Sequence, residues 1–395
     1  GDVYKRQTQK FGKRYFIFLL VFLGALSAFG PFITDFYLPT LPAMADIFNT
    51  SASMVQLGLT ASLLGIALGQ IFFGPLSDKY GRLPIMVWSL DLFALSTVGC
   101  IYSPNIEIFD IFRFLQGLGG AGGIVMSRSV ATDCYSGREL AKVLAIVGAI
   151  NGIAPVVAPV TGGMVARSLG WQGIFWVLFI IGIVLMIMCI PFRESLPKGK
   201  RVKGSAWKAA HGFVDIFKIP EFRRYVAVFG LSYGVLFAYI SSASFIVQDH
   251  FGYSEIQFSL TFGTNAIIIA IGSGLAMKFK KMENAALFST IGMAVLAMLL
   301  LISRYFVDSF FVYEGLTLLM LFFLGFIFPS VTALGMESGR KAVGAASAVL
   351  GAIGFAFGGL VSPLVGIGDL MQSTYIILVA CSLGATLLCF QKNPS

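Results

Sequence analysis

Charge is what this chain has least of. Only 12% of its 395 residues are Asp, Glu, Lys or Arg, against 57% hydrophobic, where a soluble domain carries about 25% charged residues. Histidine occurs twice and tryptophan four times. The five cysteines (Cys100, Cys134, Cys189, Cys381, Cys389) are odd in number and lack paired spacing, which argues against a disulfide framework and a cysteine metal site. No nucleotide-binding loop, Ser-nucleophile motif or His- or acid-rich metal cluster is found. The sequence therefore offers no enzyme, no metal site and no cofactor.

What fills the chain instead is apolar sequence. Runs long enough to cross a bilayer centre near residues 26, 63, 93, 117, 152, 181, 236, 267, 293, 320, 353 and 380. A soluble core cannot absorb that many all-round hydrophobic helices, so the chain reads as a polytopic membrane protein. Lys13 and Arg14 followed by apolar residues imitate a secretory signal, but the run continues to Leu38, which predicts a retained first helix. Residues 1–7 read as a truncated or foreign start.

The net charge of +9 is a topology signal. With twelve spans, 25 of the 28 Lys and Arg fall in one alternating set of loops: the N-terminal arm, 79–82, 128–142, 193–224, 278–281, 340–341 and Lys392. The other set holds only Arg167 and Arg304, and Arg113 lies within a span. The positive-inside rule then places both termini in the cytoplasm and leaves no footprint for nucleic acid. The longest polar stretch separates six spans from six. The expected organisation is a cytoplasmic arm (1–14), a six-helix bundle (15–192), a cytoplasmic linker (193–224) and a second six-helix bundle (225–391). Within the linker, 206–217 has the pattern of a short amphipathic surface helix. The fold class is an all-α membrane protein with twelve transmembrane helices in two six-helix bundles.

A charge inside the bilayer is a functional hypothesis by default. Asp35 and Arg113 are the clearest cases. On the first helix Gly24, Ala28, Pro31 and Asp35 share one small-residue face. Counting 1.5 Å per residue puts Asp35 about 10 Å from the outer end of a helix expected to stop near Pro42, and Arg113 about 13 Å along the fourth. The two residues reach similar depth and are expected to meet across a central cavity, with Asp35 titrating and Arg113 as a fixed positive charge. Glu314, within two turns of a helix end, is expected to reach water. Asn151 and Asn265, with Gln56 and Gln70, are candidates to line a cavity or to hydrogen-bond between helices, and Tyr233 and Tyr239 are candidates for an apolar cavity wall.

The segment Gly74-Pro-Leu-Ser-Asp-Lys-Tyr-Gly-Arg-Leu-Pro84 is read as a tight turn between two spans, with Gly74 and Gly81 supplying its backbone angles and Asp78 pairing across it with Arg82. It resembles the loop between helices 2 and 3 of the major facilitator superfamily of secondary transporters, whose fixed positions Gly74, Asp78, Gly81 and Arg82 match. Leu83 departs from the usual basic residue. Arg113-Phe-Leu-Gln-Gly-Leu-Gly-Gly-Ala121 is similar to that superfamily's fourth-helix motif, which implies a role for Arg113 in proton transfer and adds Gln116 to the cavity. Gly152, Pro155, Pro159, Gly162 and Gly163 are similar to its antiporter motif, with Ala158 in place of a usual Gly. Asp35-Phe-Tyr-Leu-Pro-Thr-Leu-Pro42 resembles the bicyclomycin and chloramphenicol resistance (Bcr/CflA) branch of drug:proton antiporters and draws Tyr37 into the cavity set. The match covers residues 24–166.

The resemblance implies proton-coupled efflux of small drugs or toxic metabolites by alternating access. Some multidrug relatives carry another carboxylate two turns before the Asp. Ser27 stands there, so coupling leans on Asp35 alone. The partners implied are a small-molecule drug or metabolite, protons and the lipid bilayer, for a monomer in the cell (inner) membrane. The alternative is a secondary transporter of a metabolite such as a nucleoside, amino acid or sugar. Four Trp against 38 Phe disfavour a sugar cavity.

Overall fold

The computed structural model describes residues 2–135, 137–201, 215–276, 278–339 and 343–390. The segment 206–214 of the expected amphipathic helix, and the side chains of Asn151 and Gly152, lie outside what is described. Long helices dominate: α1 (Asp2–Asp35, broken at Gly12, φ 76 and ψ 166, where the spanning part begins), α2 (Ala52–Tyr80), α3 (Arg82–Ile101) and α4 (Ile106–Cys134). The next helical stretch, Gly137–Met188, is 52 residues long. At 1.5 Å per residue that is about 78 Å, more than twice a bilayer core. Gly170, at φ 68 and ψ −172, breaks it, because only glycine adopts that region freely. It therefore counts as α5 (137–169) and α6 (171–188). The second half holds α7 (Pro220–Phe245), α8 (Glu255–Ala276), α9 (Met282–Ser303), α10 (Phe310–Ser338), α11 (Val343–Val361) and α12 (Leu370–Phe390). Among the described residues eleven helices are long and apolar enough to cross a membrane, and the break at Gly170 divides the 137–188 stretch into two and brings the helices named here to twelve.

Within the first bundle α4 packs against α1, α2 and α3. In the second, α10 packs against α7, α8 and α9. The pairing α2–α4 is thus repeated six helices later as α8–α10, by the same device. A Cβ on Gly65 would run into the Phe114 carbonyl oxygen, and one on Gly117 into that of Ser62. A Cβ on Gly272 would meet Phe322 O, and one on Gly325 would meet Ile269 O. Lipid provides no hydrophobic drive between helices, so close backbone approach at small residues supplies the packing energy. The halves meet along α2–α11 and along the 137–188 stretch with α8.

Two sequence expectations need correction. The segment 74–84 is not a turn along its length. The helix α2 continues through Tyr80 and α3 begins at Arg82, so Gly74 and Lys79 are helical and Gly81 alone (φ 108) makes the reversal. Nor does α1 run to Pro42. It stops at Asp35 and is followed by a 3-10 turn, Leu38–Thr40, and a short helix, Leu41–Ile47. Pro39 and Pro42 have no N–H to continue the ladder.

Candidate functional site

The guanidinium of Arg113 is fully buried. One nitrogen donates to Gln116 Oε1, and another donates to the Ile33 carbonyl and to Ser62 Oγ, each at 3.0 Å. The charge lies over the ring of Tyr37 at 4.2 Å and near that of Phe175 at 5.6 Å. Gln116 Nε2 in turn donates to Thr97 Oγ1 at 2.8 Å. This hub ties α1, α2, α3, α4 and α6 together. Ile33 is in the last turn of α1, where carbonyls have no partner within the helix, so Arg113 serves as a side-chain cap.

That geometry corrects the expected pairing. Arg113 reaches the depth of Asp35, as the rise per residue predicts, but its Nη2 donates to the carbonyl two residues before that acid, its Nε is enclosed without a partner, and no ion pair joins the two among the described residues. Tyr37 and Gln116 likewise belong to the interior of the first bundle and not to a central cavity. Asp110, one turn before Arg113, is the carboxylate within its electrostatic reach. It had not been singled out from the sequence.

Asp35 is 5% exposed and accepts a 2.8 Å hydrogen bond from Thr34 Oγ1. It lies within electrostatic reach of the Tyr239 hydroxyl on α7, in the other half. Asn265 on α8 donates to that hydroxyl at 2.9 Å, and the Tyr239 ring stacks on Phe262 at 5.6 Å. Glu314 of α10 stands beside the Asn265 amide and within reach of Tyr239. The structure therefore brings together Asp35, Tyr239, Asn265 and Glu314. The first three were candidates from sequence. Glu314, expected to reach water, has one oxygen fully enclosed. Its signal was present: a lone carboxylate inside a long apolar run.

Toward the face that bears the basic loops, Tyr233 joins an aromatic wall with Phe229 (4.7 Å), Phe328 (5.3 Å) and Phe355 (6.3 Å). Arg128, near the Cys134 end of α4, donates to Gln70 at 3.3 Å and lies within electrostatic reach of Tyr233 across the halves. The loop count had placed Arg128 outside the helices. The structure puts it on α4. On α5, a Cβ at Gly162 would strike the Phe36 carbonyl oxygen just after Asp35, and one at Gly163 would crowd Ser259 of α8. Pro155 and Pro159 lie inside the same helix. At the opposite face three hydrogen bonds join the halves: Gln56 Nε2 to Ser241 O (2.8 Å), Ser53 Oγ to Pro363 O (3.1 Å) and Gln248 Nε2 to Pro39 O (3.0 Å).

At the basic face, Arg82 donates to Asp78 at 2.6 Å and, through both Nε (2.7 Å) and Nη2 (3.2 Å), to Asp133 at the end of α4. Ser195 also donates to Asp133, and Glu194 accepts from the backbone N–H groups of Arg82 (3.0 Å) and Leu83 (3.1 Å), capping α3. The latch therefore binds three helix ends and the segment that follows α6. The side chain of Asp78 is 48% exposed and that of Asp133 only 15%. Asp133→Asn is expected to destabilise by about 3 kcal/mol, in the range for opening a buried pair, and Asp78→Asn by less than about 1 kcal/mol, as exposed pairs do. Melting of the two variants in detergent checks the order. Equal losses would show that the bidentate contact is not the stronger one.

Two six-helix bundles that meet mainly along two helix pairs, with ionisable residues placed where the halves meet, define a secondary transporter. The family comparison agrees. The Major Facilitator Superfamily model matches residues 17–363, and the chain belongs to that family. Among its relatives is an uncharacterised MFS-type transporter, YdgK of Bacillus subtilis, 36% identical over 89% of each chain. Another is a bicyclomycin resistance protein homolog of Haemophilus influenzae, 30% identical over 89% of each chain. In fold the chain is similar to the xylose transporter XylE from E. coli in a partially occluded inward-open conformation. That match has a TM-score of 0.75, covers 97% of this chain and 98% of the other, and shows 15% identity.

Proposed function

We propose that this transporter exports small amphipathic drugs or toxic metabolites in exchange for protons, as a Bcr/CflA-type antiporter working by alternating access. The observation that carries the reading is Asp35, a buried carboxylate at the junction of the halves with, among the described residues, only a neutral hydroxyl bonded to it. Such a group holds a proton or releases it according to what faces it, so drug and proton compete for one place. The relative named for bicyclomycin resistance supports the substrate class. The basic face is taken as cytoplasmic, with both termini there and the protein a monomer. The hydrogen bonds at the opposite face favour a state loaded from the cytoplasm.

The test uses the purified chain in vesicles enclosing a pH-sensitive dye. An imposed chloramphenicol gradient is expected to drive protons the opposite way. Drug flux without proton movement would remove antiport, and no drug flux at all would remove export.

A further inference from the structure

Arg128 carries a charge within the apolar stretch Ile106–Ala131 of α4, where a charge is costly unless it faces water or a partner and marks a substrate path by default. Its side chain is exposed. Its contacts turn it to the gap between the halves, since it donates to Gln70 Oε1 of α2 at 3.3 Å and lies within electrostatic reach of Tyr233 on α7. Gln70 adds a second donor. Its Oε1 is engaged by Arg128, while its Nε2 is enclosed without a hydrogen-bond partner, and a buried donor left unmet is costly. On α11 a Cβ at Gly351 would stand 3.5 Å from Gln70 Oε1, so Gly351 brings no side chain over the two donors.

Beside them stands the aromatic wall. The Tyr233 ring meets Phe328 at 5.3 Å and Phe355 at 6.3 Å, and all three keep part of their surface open. A Cβ at Gly354 would strike the Tyr233 ring, so the glycine lets that ring lie against α11. The acids are placed elsewhere. Asp35 and Glu314 lie near Tyr239, six residues further along α7, about 9 Å at the helical rise. A molecule entering from the basic face thus meets Arg128, Gln70 and the rings before it meets Asp35 or Glu314.

We propose that Arg128, Gln70 and the wall of Tyr233, Phe328 and Phe355 form an entry site for aromatic carboxylates. The planar guanidinium offers parallel N–H groups that match the two oxygens of a carboxylate. The ring of the same molecule packs edge-to-face or offset on the wall. When the anion takes the place of Gln70 Oε1 on Arg128, the amide is released to turn its unmet N–H toward that anion. The inference names a substrate class within the export reading and rests on that reading for transport, but not for binding.

Naphthoate and its neutral amide, naphthamide, are titrated against the full chain in lipid nanodiscs. The wild type is expected to bind naphthoate at least about tenfold more tightly than naphthamide, the worth of one charge-assisted hydrogen bond. Arg128→Gln should remove that preference and leave naphthamide within about twofold. Phe355→Leu should weaken both probes alike, by about threefold, as the loss of one aromatic contact does. Gln70→Glu sets a competing carboxylate against Arg128. It should weaken naphthoate about tenfold, and it keeps the question measurable should R128Q not fold. Equal binding of the two probes by the wild type, undiminished naphthoate affinity in folded R128Q or Q70E, or equal weakening of both probes by R128Q would each overturn the site. Naphthoate binding that depends on Arg128, in a protein that moves no naphthoate across vesicles, would sustain the site and defeat export alone.

Discussion

Asp35→Asn is expected to abolish uphill drug transport driven by a pH gradient while the protein remains folded. The substitution is nearly isosteric, and the amide oxygen still accepts from Thr34, so the local bond at the end of α1 persists. Removing a buried charge with no bonded cation relieves a desolvation cost, and the melting temperature should hold or rise. What disappears is the titratable carboxyl between α1 and α7. Downhill exchange of the same drug, which needs no proton, should survive at a reduced rate. The measurement is drug accumulation in vesicles under an imposed pH gradient, beside thermal melting of the same preparation. Full gradient-driven transport by the variant would remove Asp35 from the mechanism.

The other large effect belongs to Arg113. Arg113→Leu strands the Ile33 carbonyl, Ser62 and Gln116 inside the first bundle. At about 1–3 kcal/mol for each unmet group, most of the folded protein should be lost. Arg113→Lys keeps the charge but not the fork. One ammonium cannot span Gln116 on one side and Ile33 with Ser62 on the other, nor lie flat on the Tyr37 ring. A fall of about 2–4 kcal/mol in stability is expected, with transport falling in step. Fluorescence-detected size exclusion over a temperature series reads the first, and vesicle transport the second. Transport that collapses in the Lys variant at wild-type stability would show that Arg113 acts on the proton and not as the cap of α1.

These two outcomes separate roles that the sequence joins. Both residues are intramembrane charges at matching depth, and helical rise locates depth well. Rise does not say which way a long side chain turns. The orientation of Arg113 is settled by the orphan carbonyl at Ile33, which exists because α1 stops at Asp35 instead of continuing to Pro42. Asp133 and Glu194 show the same limit at the basic face. Asp78 and Arg82 are four residues apart and pair visibly in the sequence, whereas the stronger partner of Arg82 lies 51 residues away.

The sequence by itself determined the class of protein and its all-helical, many-spanning fold, and it marked Asp35 and Arg113 as charges inside apolar runs. It did so because a bilayer imposes rules that act locally: an apolar run of fixed length, backbone groups satisfied within each helix, and few charges in between. Only the tertiary structure decided which of those charges meet. Contacts such as Asn265 with Tyr239, Gly272 with Phe322, or Glu314 beside the site of Asp35 join residues from different helices. Their partners depend on the rotation of each helix about its axis, which in a membrane is set by close packing at small residues and by the search of polar groups for one another, not by hydrophobicity.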